Sequence, residues 1–155
     1  MTRRMLTALI ALVGLFIALY LTLYKAGIIG SLVCGTGGCE TVQLSRWATF
    51  LGLPVEAWGA GYYAAVFALA LAGVQEPWTA SRNLARATVL LTAWGVLFSA
   101  WLTYLELFVI HAICRWCIGS AVIITAIWVV SLLSLRSPAI RTDHATSPLQ
   151  QGRQA

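Results

Sequence analysis

Four cysteines fall into two close pairs in this 155-residue chain, and their spacing suits thiol–disulfide exchange. Cys34 and Cys39 enclose Gly35, Thr36, Gly37 and Gly38, whereas Cys114 and Cys117 enclose only Arg115 and Trp116. Four intervening residues let a disulfide close, and the glycines let the loop reopen and swing. The second pair is a C-x-x-C. At a helix start its two members face the same way on the first turn. The positive end of the helix, with Arg115 beside it, favours the reactive thiolate there. Cys117 lies roughly 4.5 Å deeper than Cys114, at about 1.5 Å per residue. The order reads as a relay from a mobile outer pair to a shallow thiol and then a deep one.

Other uses of four cysteines compete with this. Two inert disulfides would make the chain a stapled scaffold without turnover. A C-x4-C combined with a C-x2-C could ligate zinc, but one pair would then bind metal at the edge of lipid, and no metal is expected. His111, three residues before Cys114, is either a proton donor or an ordinary interfacial histidine, and the second reading is preferred.

The elements that must position these pairs are membrane spans. Apolar residues make up 60% of the chain and charged residues 10%, far from the roughly 25% charged of an average soluble domain. Apolar runs at about 5–24, 55–74, 84–110 and 114–135 each reach the length that crosses hydrocarbon. Backbone groups in lipid must be satisfied within their own segment, so the runs are helices. The first has no small-x-small cleavage pattern and reads as a retained helix. The expected fold is all-α: a polytopic membrane protein with a four-transmembrane-helix bundle and an extracytoplasmic loop or short helix as its cap. Residues 1–135 form that domain, and 136–155 read as a disordered cytoplasmic tail. Leu44, Trp47, Ala48 and Leu51 recur at helical spacing, which predicts a short amphipathic helix lying on the membrane surface or folded back over the bundle.

Seven Lys and Arg residues fall on one side of these spans and three on the other. The positive-inside rule then puts both termini in the cytoplasm and all four cysteines outside, where disulfides persist. The net charge of +5 is scattered in ones and twos, with no basic helix or recognition motif, so nucleic acid is not an expected partner.

The chain resembles the vitamin K epoxide reductase family, in its bacterial disulfide-forming branch. The residues that carry the resemblance are the glycine-bearing pair Cys34 and Cys39, then Ser45-Arg46-Trp47, the stretch FLGLPVEAWG, and finally Cys114-Arg115-Trp116-Cys117. They span about residues 5–135, and the order, with the outer pair first and C-x-x-C last, is specific. DsbB-type membrane oxidases place their C-x-x-C in the first outer loop instead. The resemblance implies a four-helix bundle around a quinone, ubiquinone or menaquinone, in a bacterial inner membrane. It implies that Cys34 exchanges with a DsbA-like thioredoxin-fold partner, that Cys39 passes the exchange to Cys114, and that Cys117 faces the quinone. Ser45 and Trp47 match the family's cap segment, and Trp58 and Tyr62, four apart on one helical face, are candidates to line the quinone pocket. Animal members carry a tyrosine where Ala121 stands, and an asparagine near Val55-Glu56. Both differences favour a plain quinone over vitamin K epoxide as substrate. Some bacterial members carry a fused thioredoxin domain; this chain ends at Ala155, so a separate partner protein is expected.

Overall fold

A computed structural model describes residues 2–35, 38–75 and 81–136. Four long helices form the bundle: α1 (Thr2–Lys25), α3 (Val55–Ala72), α4 (Arg82–Leu105) and α5 (Arg115–Arg136). With the five-residue extension of α4, each is long and apolar enough to cross a membrane. Phe16, Leu90, Leu97 and Val122 lie on their outer faces, more than half exposed, as expected where lipid tails are the solvent. The tail predicted over 136–155 lies outside the described residues, apart from Arg136 at the end of α5.

Helix α1 packs against α3 and α5, and α4 against α5. Small residues make this close approach possible. Ala11 and Ala18 are buried beside Tyr63, Val66, Ile124 and Ile127, and a side chain at Gly14 would collide with the Tyr63 ring. Such small-residue contacts are how helices associate where apolar burial alone gives no preference for protein over lipid. Tyr63 also pins α3 to α5, its hydroxyl lying 2.7 Å from Ser120 Oγ. The Tyr62 hydroxyl donates to the Leu91 carbonyl of α4 at 2.9 Å. At the end of the bundle opposite the cysteines, Arg4 donates to the Gly73 carbonyl and Arg3 to that of Leu133. Both guanidinium groups thus meet carbonyls near helix C-termini, where positive charge is favoured.

The cap is not the amphipathic helix that the Leu44–Leu51 periodicity predicts. Helix α2 (Gly38–Leu44) comes first, then a 3₁₀ turn (Arg46–Ala48) and a two-stranded hairpin, β1 (Thr49–Phe50) and β2 (Leu53–Pro54). Leu51 and Gly52 both have positive φ, 51° and 81°, the backbone of a tight hairpin turn that matches strand twist. Leu44 and Leu51 project outward, while Val42, Gln43 and Ala48 are buried. A leucine in the left-handed region is strained by roughly 1–2 kcal/mol. Leu51→Asn is therefore expected to raise thermal stability in detergent without changing the fold.

Candidate functional site

Both cysteine pairs lie at one end of the bundle. Cys34 and Cys39 are joined as a disulfide with Cα atoms 6.1 Å apart, while Cys114 and Cys117 are free thiols. Cys34, Cys39 and Cys114 share a buried cluster with Leu21, Leu32 and Val42. Cys39 and Cys114 are each fully buried, so the outer pair is docked on the inner one rather than swinging free. Cys39 owes its position to the first turn of α2, and α2 is fixed at its other end by Lys25, which donates to the Gln43 carbonyl. Trp116 clamps the entry segment, its indole Nε1 donating to the Val33 carbonyl at 3.3 Å and its ring lying 5.3 Å from that of Tyr20.

Gly38 is where α2 meets the inner segment. A Cβ there would stand 2.5 Å from the Ile113 carbonyl oxygen, a backbone atom with little room to yield. Gly38→Ala is therefore expected to lift α2 and slow exchange between the pairs on the order of tenfold or more, since small misplacements at reacting centres carry such costs. Rapid-quench alkylation and gel shift would follow the transfer.

Cys114 directly precedes α5, and Cys117 stands in its first turn, as the C-x-x-C spacing predicts. The Cys114 thiol is held below the usual thiol range chiefly by its hydrogen bond with the Cys117 side chain, helped by the backbone N–H groups of Cys117 and Trp116. Burial and the Glu106 carboxylate work the other way. The helix N-terminus thus acts as expected. Arg115 does not contribute to the shift, and its guanidinium instead lies toward Gly35.

The chain reaches Cys114 through a special geometry. Helix α4 widens into a π-type turn over Glu106–Ile110, and His111 then adopts a left-handed conformation (φ 55°) that ends it. The His111 and Ala112 N–H groups both donate to the Glu106 carbonyl. The conformation of His111 reverses the chain toward Cys114, and its side chain is exposed.

Cys117 borders a cavity of about 330 Å³ lined by α1, α3, α4 and α5 beneath the hairpin. Trp58, Tyr62, Phe98 and Leu102 form much of its wall. Trp58 and Tyr62, both candidates from sequence, are among the residues that line it. Their polar atoms are engaged elsewhere, Trp58 Nε1 donating to the Phe50 carbonyl at 3.1 Å and Tyr62 to Leu91. Ser45 and Trp47 lie instead along a smaller void of about 40 Å³ on the cap side.

Three polar residues of the site, Gln43, Glu56 and Glu106, are given no role by the sequence reading. Glu106, 4% exposed, accepts the Cys114 N–H at 3.0 Å through Oε2 and interacts with the Cys117 side chain. A carboxylate inside an apolar span is the signal that would have found the two acids. Among the described residues, no group of three or more His, Cys, Asp or Glu is placed to hold a metal ion.

The profile of the vitamin K epoxide reductase family matches residues 5–132, which include all four long helices in large part and all four cysteines. That match covers most of the chain, and membership implies a membrane oxidoreductase of the thiol–quinone kind. The chain belongs to the vitamin K epoxide reductase family.

Proposed function

We propose that the protein reoxidises a soluble thioredoxin-fold dithiol of the DsbA type and passes the electron pair to a membrane quinone, supporting disulfide formation outside the cell membrane. The observation that carries this reading is the continuity of the column. The docked loop disulfide, buried Cys114 and cavity-facing Cys117 succeed one another along one end of the bundle. In the proposed sequence a partner thiolate attacks Cys34. The partner's second thiolate resolves that mixed disulfide and frees Cys34. Cys39, released as a thiolate, attacks Cys114 of an inner Cys114–Cys117 disulfide and frees Cys117. Cys34 then closes the loop bond on Cys39 and expels Cys114. Each exchange needs an in-line thiolate, and the low position of the Cys114 thiol makes it the better leaving group. Cys34 is buried in the docked state, so partner exchange requires the 34–39 segment to lift.

The large cavity fits a quinone head. Its volume lies at the lower end of small-molecule sites, its walls are mostly aromatic and aliphatic, and Cys117 opens onto it. Bound there, a quinone supplies a two-electron acceptor. Trp58, Tyr62 and Phe98 would hold the ring by their faces, while Cys117 delivers electrons and re-forms the bond to Cys114. Ala121 and Val55-Glu56, in place of the tyrosine and asparagine of animal members, favour a plain quinone over an epoxide.

The test of the outer order is trapping. Cys39→Ser is expected to strand Cys34 on its partner as a high-mass band that disappears on reduction. A partner adduct formed by Cys34→Ser and not by Cys39→Ser would reverse the roles of the loop cysteines. The Lys and Arg distribution supports placing both termini in the cytoplasm and both pairs outside. Reporter fusions after Val74 and Leu135 should then both read cytoplasmic, and an external signal at either would refute the orientation.

A further inference from the structure

Two carboxyl side chains are buried beside the inner thiols, and electron transfer alone gives them no task. Glu56 and Glu106 are 9% and 4% exposed, and both border the large cavity and the small void behind it. Cys117 borders both spaces as well. Among the described residues, Oε2 of Glu56 and both side-chain polar atoms of Gln43 have no hydrogen-bond partner, although Gln43 is only 1% exposed. Gln43 and both glutamates line the void of about 40 Å³, which is room for a water molecule with several polar partners. Lys25 closes the outer end of this set, donating to the Gln43 carbonyl and acting electrostatically on Glu56.

Packing does not account for the two acids. Burying an ionisable group costs several kcal/mol unless its partners compensate, and a leucine or glutamine would avoid that cost. Glu106 is moreover aimed inward by the π-type turn, a departure from regular helix that often marks functional positions.

The reaction supplies the missing task. Oxidising the inner pair forms one S–S bond and releases two electrons and two protons, counting the proton that Cys114 sheds when it ionises. Reducing a quinone to its quinol consumes two electrons and two protons at the two ring oxygens. Cys117 passes the electrons, but the cavity is walled mostly by apolar side chains of membrane helices, so the protons need carriers of their own.

We propose that Glu106 and Glu56 are the proton carriers of the inner site, linked through water held in the void against Gln43. In the reduced pair Glu106 holds the proton that Cys114 sheds, and it passes this proton through the void water and Glu56 into the large cavity as electrons arrive there. It then takes and passes on the proton of the Cys117 thiol that it contacts, so both protons of the dithiol reach the cavity. Glu106 is a carboxylate once the S–S bond has formed, until the inner pair is reduced again. The inference rests on the quinone-coupled reading above. It assigns Glu106 a catalytic role at the Cys117 sulfur and Glu56 a role at the cavity wall.

The test separates proton transfer from architecture because glutamine keeps an acceptor for the Cys114 N–H and cannot carry a proton. Infrared difference spectra of the full chain in lipid nanodiscs without quinone, inner pair oxidised minus reduced, should show a carboxyl C=O band. Glu106→Gln should remove it. With quinone added, Glu106→Gln should slow quinol formation on the order of 100-fold, the usual scale of a lost general acid–base group. Exchange between the loop pair and Cys114 should persist, its rate changing far less than that of quinol formation. Glu56→Gln, which keeps a side-chain acceptor beside Gln43 and Lys25, should slow quinol formation while leaving thermal stability unchanged. It serves as the second variant should Glu106→Gln unfold. A wild-type spectrum without a carboxyl band, a band that survives Glu106→Gln, or wild-type quinol formation in both variants would overturn the proposal. Failure of the wild type itself to reduce quinone, with the carboxyl band present, would refute the quinone reading and leave the coupling of Glu106 to the thiol pair standing.

Discussion

Cys117→Ser is expected to abolish quinol formation, on the order of a thousandfold or more, the scale on which loss of an obligatory nucleophile is felt. The variant should nevertheless exchange as far as Cys114, whose thiolate attacks Cys39 of the loop disulfide and frees Cys34. Cys39 and Cys114 are buried in one cluster, so a Cys39–Cys114 disulfide should accumulate and be visible by mapping under non-reducing conditions. Cys114→Ser should also stop turnover, yet leave Cys117 as an unpaired thiol on the cavity wall. The two variants therefore differ in whether they hold a disulfide between the loop and the inner pair. A Cys39–Cys117 bond in Cys114→Ser, with quinol still formed in Cys117→Ser, would mean that the inner end of the relay is reversed.

The second large effect concerns the cavity. Ser99 lies on its α4 wall and takes no part in the cysteine column. Ser99→Trp should fill the space that a quinone ring requires, raising KM for quinone and lowering turnover on the order of 100-fold, since displacing a bound ring removes its contacts outright. A stoichiometric burst of partner oxidation should remain, because the disulfides already formed can still exchange once. Burst amplitude by gel shift, and quinol formation by absorbance, separate a blocked pocket from an unfolded protein. Loss of the burst together with turnover would show that the substitution had disrupted the cap.

The span pattern was legible because twenty apolar residues leave a chain few alternatives to a helix in lipid. The C-x-x-C at the mouth of the last helix was legible too, since α5 begins at Arg115. The cap was not. Gly38–Leu44 reads as the end of a glycine loop, and becomes helical where Cys39, Val42 and Gln43 bury themselves against the bundle. The apolar period from Leu44 to Leu51 misled because a two-residue turn at Leu51-Gly52 overrides it, and a leucine at positive φ gives no local warning. Gly52 between two short β-prone stretches was the available signal. Glu56 and Glu106 stood in plain view as acids within apolar runs, but their shared cavity depends on how α3 and α4 pack, which spacing along one chain does not report.

The central claim, that electrons run from a soluble dithiol through both cysteine pairs to a quinone, is tested most directly by stoichiometry. The purified protein in nanodiscs would be mixed with a reduced DsbA-like protein and a soluble quinone analogue, and both products followed in one reaction. The account predicts one quinol formed per partner disulfide in the wild type, and no sustained turnover in any of the four single Cys→Ser variants. Partner oxidation without quinol, or quinol formation from the protein dithiol that survives loss of Cys34 or Cys39, would contradict it.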